Sequence, residues 1–127
     1  MLRYNASMKV IIDLIEDIRT AISNDESFSL TAMGLKEEES GEFSPSWENP
    51  VCSMKIDDEK KRLFLFLGKG EALGVGQFLT VLNALPNAAM MYEVCVSYSR
   101  EQRRVDSSIM GFGESVGEKK YLLFIPE

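Results

Sequence analysis

The feature that most constrains the fold is the run LFLFL at residues 63–67, in which every side chain is large and apolar. Successive side chains of a β-strand point to opposite faces of a sheet, so a strand without polar alternation needs cover on both faces. We therefore expect this run to form a central strand. It follows a strand-like segment at residues 51–56 and a charged turn at residues 57–61, which together predict one hairpin.

The other apolar periodicities predict two helices and further strands. Residues 7–23 carry apolar side chains at steps of three and four, which predicts an amphipathic helix with Ser7 as its N-cap. Residues 75–85 predict a second, heavily buried helix that Pro86 ends. Strands are predicted at residues 27–35, 91–98, 105–112 and 121–125.

This order is helix, three strands, helix, three strands, and hairpin spacings dominate it. The sequence therefore predicts a single α+β domain over residues 1–127. Its sheet should be twisted and mainly antiparallel, with five to six strands, and both helices should pack on one face.

Residues 36–50 are acidic and rich in turn-forming residues, which predicts a long exposed loop. In one interpretation its acids attract a basic partner protein while its aromatic side chains anchor that partner. In the other interpretation the loop is only solvated and its tryptophan folds back onto the core. The predicted partner-binding residues are Glu37, Glu38, Glu39, Glu42, Phe43 and Trp47.

Charge and hydropathy limit the partners of this chain. Its net charge is −6, which opposes binding to the phosphates of nucleic acid and to anionic membranes. We expect neither partner, and the acidic balance instead suits a basic protein. The sequence carries no pattern of a signal peptide or a membrane span, so we expect a cytoplasmic protein.

The chain contains no histidine, so Ser–His and Cys–His nucleophiles and His-ligated zinc are excluded. We assign no catalytic residue and expect neither a cofactor nor a metal site. Cys52 and Cys95 lie in strand-like runs and fit no CxxC signature. They should be buried thiols, and they could form a disulfide only if their strands are neighbours.

The segment GKGEALGVG at residues 68–76 raises an alternative function. Gly70, Gly74 and Gly76 give GxxxGxG between a strand and a helix, which resembles the cofactor loop of short-chain dehydrogenases. That resemblance implies nucleotide or anion binding, with Arg100 near the end of the next strand as a phosphate ligand. The family's catalytic Tyr-x-x-x-Lys is absent, however, and Glu71 would repel a phosphate. A structural turn between a central strand and a buried helix is the preferred explanation of these glycines.

The preferred prediction is a non-catalytic protein–protein interaction module of the immunity, chaperone or adaptor type. Bacterial immunity proteins and secretion chaperones are similar to this chain in size and charge, and class I secretion chaperones share much of its element order. The partner should bind at the acidic loop or add a strand to an exposed sheet edge. A homodimer is compatible with the same sequence. The alternative is a small nucleotide- or anion-binding domain or enzyme that uses residues 68–76.

Overall fold

The structure is a computed structural model that describes residues 3–4, 9–23 and 25–127. Two helices, α1 (Ile11–Ile22) and α2 (Val75–Asn83), are accompanied by a short 3-10 helix (Asn87–Met91). The strands are β1 (Arg3–Tyr4), β2 (Ser29–Glu37), β3 (Phe43–Asp57), β4 (Arg62–Leu67), β5 (Glu93–Arg100), β6 (Arg103–Ser108), β7 (Gly111–Ser115) and β8 (Lys120–Pro126).

These strands form one sheet in the order β1-β7-β8-β2-β3-β4-β5-β6. The α+β class is confirmed, but the sheet is mixed: β2 pairs with β8 and β4 pairs with β5 in parallel, and the other neighbours are antiparallel. The predicted parallel content was too low because α2 forms a crossover between β4 and β5, and because β8 inserts between β7 and β2.

The predicted number of strands was also too low. Seven strands have five or more residues, and the two-residue β1 pairs at one edge of the sheet. The segment predicted as a single strand at residues 105–112 is split between β6 and β7, because the chain leaves the sheet at Ile109 and Met110. Ile109 is buried there and packs in the main core.

Both helices bury their apolar stripes in this same core. Ile11, Leu14 and Ile18 of α1 are fully buried, and so are Val75 and Leu82 of α2. They pack with alternate residues of the central strands, including Leu30, Leu63, Leu65, Val94, Val96 and Leu123. Burying a side chain of this size contributes about 1.5–3 kcal/mol, so the sheet is the surface that stabilises both helices.

The first helix begins later than predicted. Its N-cap is Val10, and the backbone N–H of Val10 donates to Asp13 Oδ2 at 3.2 Å. Val10 also forms an antiparallel bridge to Glu93, and this pairing holds the chain extended up to the helix start. Ser7, the predicted N-cap, lies outside the described residues.

The central position predicted for the LFLFL run is confirmed. It forms β4 between β3 and β5, and Leu63 and Leu65 face the helices. Phe64 points to the opposite face and is still only 2% exposed. The guanidinium of Arg104 covers it, with Cζ 4.9 Å from the ring centroid. A charged side chain therefore supplies the second layer over this strand.

The predicted long acidic loop at residues 36–50 is wrong. β2 continues to Glu37 and β3 begins at Phe43, so only residues 38–42 form a turn. Prolines and polar residues suggested a loop, but residues 43–50 pair on one side only, with β2. A strand with one unpaired edge tolerates Pro45 and Pro50 where a central strand would not.

Cys52 and Cys95 are free thiols, half-buried and buried respectively. They lie on β3 and β5, and β4 separates these strands. Two strand spacings amount to about 10 Å, which is too far for a disulfide.

Candidate functional site

The acidic residues lie at the tip of a rigid hairpin, which we call the hairpin tip (residues 37–43). The N–H of Glu38 donates to the carbonyl of Glu42 at 2.7 Å, and the N–H of Gly41 donates to the carbonyl of Glu38 at 2.9 Å. Gly41 has φ of 85°, so this is a three-residue turn whose last residue is left-handed. Ser44 Oγ also donates to Glu38 Oε1 at 2.5 Å. The turn therefore presents its carboxylates from a fixed backbone.

The structure brings most of the predicted partner-binding residues together at this tip. Glu37, Glu38, Glu39 and Glu42 are all exposed. Phe43 lies directly opposite Glu37 in the β2–β3 register and is 40% exposed; Val81, Met91 and Val116 elsewhere on the surface are exposed to a greater degree. The hairpin tip thus combines one partly exposed aromatic side chain with four exposed carboxylates, and the cations Lys36 and Arg100 line the cavity beside Phe43.

Trp47 does not belong to the exposed tip. Its side chain is half-buried, packs against the main core, and lies over Gly34 on the neighbouring strand. Its ring centroid is 5.3 Å from that of Tyr98, with the rings tilted at 54°. Of the two interpretations of this tryptophan, the geometry supports the one in which it folds back onto the core.

A groove starts at Phe43 and leads to this aromatic pair. Its first cavity, of about 370 Å³, is lined by Leu35, Lys36, Glu37, Phe43, Arg100, Pro126 and Glu127. Its second cavity, of about 260 Å³, is lined by Trp47, Asn49, Tyr98, Ser99, Arg100 and Glu127. Because Arg100 and Glu127 line both cavities, we treat them as one feature, the hairpin groove.

Sequence reasoning predicted only Glu37, Phe43, Trp47 and Arg100 of the residues that line the hairpin groove, and it missed seven others: Leu35, Lys36, Asn49, Tyr98, Ser99, Pro126 and Glu127. The alternation of residues 92–98 places Tyr98 on the same face as the buried Val94 and Val96, which was a usable signal. No local pattern, however, relates the end of β5 to the first half of β3 or to Glu127. Their proximity arises from the order of strands in the sheet.

The glycine-rich loop is a structural link between two strands. The N–H of Leu73 donates to the carbonyl of Val51 on β3 at 2.8 Å, and the carbonyl of Leu73 accepts from Leu30 on β2 at 2.9 Å. The loop thus fills the space where β2 and β3 separate. Gly70, Gly74 and Gly76 do not have positive φ angles, so the turn does not require left-handed glycines at these positions.

Two carboxylates lie close to this loop and to the first turn of α2. A Cβ on Gly76, in the first turn of α2, would lie 3.0 Å from Glu26 Oε2, so the Glu26 carboxylate lies at the helix N-terminus. Glu71 lines the neighbouring cavity together with Gly74 and Gln77. Arg100 lines the hairpin groove instead. The arrangement gives the nucleotide interpretation no support.

Two further features of the described residues bear on function. They contain no group of three or more Cys, Asp or Glu side chains arranged to hold a metal ion. None of the helices in the described ranges is long and apolar enough to cross a membrane. Comparisons with protein-family models, with curated protein sequences and with solved structures find no match to this chain.

Proposed function

We propose that this protein is a non-catalytic interaction module that binds a basic segment of another protein at its hairpin tip. One observation carries the proposal: Phe43 is 40% exposed where β3 leaves a hydrogen-bonded turn, and the hairpin tip around it carries four exposed glutamates. A partner with basic side chains around an apolar residue would bury Phe43 and pair its charges with these glutamates.

The backbone of the tip favours such binding because it is already ordered. The hydrogen bonds between Glu38, Gly41 and Glu42 hold the turn before any partner arrives. Binding therefore does not incur the entropy cost of ordering a long loop. The net charge of −6 adds long-range attraction for a basic partner, which raises the association rate more than the final affinity.

We infer an immunity, chaperone or adaptor role in the cytoplasm, in which the partner is bound and not transformed. The lack of histidine in the chain supports this inference, since the commonest general base is missing. A homodimer remains compatible with the proposal, and size-exclusion chromatography with light scattering reports the oligomeric state directly.

The test compares capture of partner proteins by three immobilised proteins. The first is the intact chain, and the second carries Glu37→Gln, Glu39→Gln, Glu42→Gln and Phe43→Ser. Glu38 is left unchanged because it accepts the Ser44 hydrogen bond that holds the turn. The matched control neutralises three exposed glutamates elsewhere, at Glu16, Glu59 and Glu118.

Mass spectrometry identifies the captured proteins. A partner that binds at the hairpin tip should be captured by the intact chain and by the control, and should not be captured by the tip variant. Its capture should also weaken as salt concentration rises, because exposed charges are screened. Equal recovery of the same partner by all three proteins would overturn the proposal.

A further inference from the structure

The longest uncharged stretch of the chain lies partly on its surface. Residues 72–92 contain no Asp, Glu, Lys or Arg, and the next longest such run, residues 27–35, has only nine residues. The heavy burial predicted for α2 holds for one face of it, which carries the buried side chains Val75, Phe78 and Leu82. Val81 is 45% exposed, and Met91, in the 3-10 helix that follows, is 68% exposed. Two large apolar side chains of this stretch therefore lie in solvent.

A continuous band of exposed residues joins these two side chains. Ala84, the C-cap of α2, lies one turn after Val81, and its N–H donates to the Val81 carbonyl at 3.2 Å. Ala88 and Met91 are three residues apart in the 3-10 helix, where such positions share a face. The chain between the two helices is exposed as well. We call the exposed residues of this band the uncharged surface: Val81, Asn83, Ala84, Pro86, Asn87, Ala88 and Met91.

Hydrogen bonds at both ends hold this band against the rest of the fold. Asn83 Oδ1 accepts from Arg19 Nη2 of α1 at 2.9 Å. At the other end, the carbonyl of Tyr92 accepts from the N–H of Ile11 at 3.0 Å, and its hydroxyl donates to Asp58 Oδ1 at 2.8 Å. The uncharged surface is therefore already ordered, and a protein that binds to it does not incur the entropy cost of ordering it.

Charged side chains that border the uncharged surface have partners within the same chain. Arg19 and Asp58 make the hydrogen bonds described above. Glu93, the first charged residue after the stretch, forms an ion pair in which its Oε1 lies 3.3 Å from Arg62 Nε. An occupant of this surface therefore needs no charges of its own to match these residues, which distinguishes it from the basic partner of the hairpin tip.

Charge makes a second copy of this chain the occupant that this surface suits. Each copy has a net charge of −6, so most contacts between two copies bring like charges together. The uncharged surface adds no charge to either side of such a contact. In a two-fold dimer the same patch meets itself, which requires no complementary sign when the patch is neutral. The cores of homodimer interfaces are accordingly apolar and poor in charged residues.

We propose that two copies of the chain associate through the uncharged surface, as a two-fold dimer that buries Val81 and Met91 against the partner copy. The seven residues of this surface are fewer than the roughly 20–30 residues a side of a standard interface. The dimer should therefore be weak and reversible, with a dissociation constant of about 0.01–1 mM. This inference goes beyond the proposed function. Phe43 begins β3 and Asp58 follows its end, so the hairpin tip and the uncharged surface lie at opposite ends of that strand and can be occupied together.

The test measures dimerisation by sedimentation equilibrium, at protein concentrations from about 0.01 to 1 mM. It compares the intact chain with a variant that carries Val81→Lys and Met91→Lys. The matched control carries Gln102→Lys and Val116→Lys, at exposed positions outside the uncharged surface, and Val116 is 72% exposed. Two added lysines change the net charge from −6 to −4 in both variants, so general repulsion decreases equally. Melting curves check that both are folded, and Met91→Lys alone replaces the double variant if that protein does not fold.

We expect the intact chain and the control to dimerise with dissociation constants within about twofold of each other, and the surface variant at least about tenfold more weakly. Diluting the intact chain should shift the amide NMR signals of residues 81–91 and leave those of the hairpin tip in place. A monomeric intact chain at the highest concentration, equal dimerisation by all three proteins, or shifts confined to other residues would overturn the dimer proposal.

Other occupants and failure of the proposed function give different results. If the intact chain is monomeric but the surface variant no longer captures a partner protein, the uncharged surface binds that protein, and the second-copy proposal is wrong. If dimerisation behaves as expected but capture of a partner is independent of Glu37, Glu39, Glu42 and Phe43, only the proposed function is wrong. Loss of the dimer in the hairpin-tip variant would assign dimerisation to the tip and would also contradict the inference.

Discussion

Gly34 lies directly opposite Trp47 in the β2–β3 register, and the indole ring occupies the space where a side chain at Gly34 would begin. A Cβ at this position would approach the ring closer than 3.0 Å, a separation that real Cβ atoms essentially never show. The pairing also lies beside a register shift between Gly34 and Leu35. The glycine thus lets the one tryptophan of the chain lie flat against the sheet.

We predict that Gly34→Ala destabilises the fold by about 1–3 kcal/mol, because the methyl group forces Trp47 off its site. Urea denaturation measures the loss of stability, and tryptophan fluorescence reports the displacement of this single indole. Gly117→Ala is the matched control, since nothing lies within 4 Å of a Cβ there. Equal urea midpoints for the two variants would show that the indole moves aside at no cost.

Arg104 is predicted to stabilise the sheet from the face opposite the helices. Its Cζ lies 4.9 Å from the Phe64 centroid and 5.4 Å from that of Phe66, and its Nε is 2.9 Å from both Ser97 Oγ and Asp106 Oδ1. Arg104→Ala should cost about 1–3 kcal/mol through lost stacking on the two rings and the lost hydrogen bonds of Nε to Ser97 and Asp106.

Urea denaturation again measures the effect, and Arg103→Ala is the control from the neighbouring exposed position. Arg104→Lys should recover only part of the loss, because an ammonium cannot stack on two rings as a planar guanidinium does. Full stability of Arg104→Lys would show that only charge is needed at this position.

The elements that were predicted correctly are those encoded by local periodicity. The apolar stripe of α1, the central character of LFLFL and the continuous apolar run of β8 each follow from residues close together in sequence. The cover over Phe64 was also implied, although nothing identified Arg104 as the residue that supplies it. Periodicity determines which face of an element is buried, and it does not determine what buries it.

The errors arose where non-local pairing decides the outcome. Residues 43–50 have the composition of a loop, but β2 pairs with them and holds them extended. Trp47 was expected either at the surface or on the core, and the deciding feature, Gly34, is a position that no local pattern links to it.

The turn between β5 and β6 offers a site for increasing stability. Glu101 and Gln102 have φ values of 52° and 64°, a left-handed conformation that non-glycine residues adopt at a cost. Asn followed by Gly is the preferred sequence for this turn type. Glu101→Asn with Gln102→Gly should therefore stabilise the protein by about 1 kcal/mol, measured as an increase in urea midpoint.

The control for this prediction inserts the same dipeptide where the backbone is extended. This control variant carries Ser107→Asn and Ser108→Gly, two substitutions within β6. It should instead destabilise the protein, since glycine weakens a strand. A fall in stability for the turn variant would show that Glu101 and Gln102 make compensating contacts.

Cys95 should make the stability of the protein fall at alkaline pH. Burial, with a further contribution from the Glu93 carboxylate, raises the pKa of its thiol from 9.0 to about 11. Because the folded-state pKa lies above that of the unfolded chain, the stabilising contribution is complete below pH 9. It is lost as the pH rises toward 11, where the unfolded chain has already released the proton.

Urea midpoints of the intact chain and of Cys95→Ala, measured between pH 7 and pH 11, check this prediction. Lysines and tyrosines titrate in both proteins, so only the difference between the two curves reports Cys95. We expect the midpoint of the intact chain to fall more steeply above pH 9. Parallel curves would show that the folded protein accommodates the thiolate without cost.

Finally, nucleotides should not stabilise this protein through the glycine-rich loop. A ligand that binds the native state raises the melting temperature, and phosphates are attracted to a helix N-terminus only where no anion already lies there. Here Glu26 lies against Gly76 and Glu71 lines the adjoining cavity, so ATP, NAD and NADP should each leave the melting temperature unchanged. Glu26→Gln with Glu71→Gln removes the two charges and is the informative comparison. A shift of several degrees with the intact chain would restore the nucleotide interpretation, whereas a shift in the double variant alone would show that these carboxylates are what exclude the phosphate.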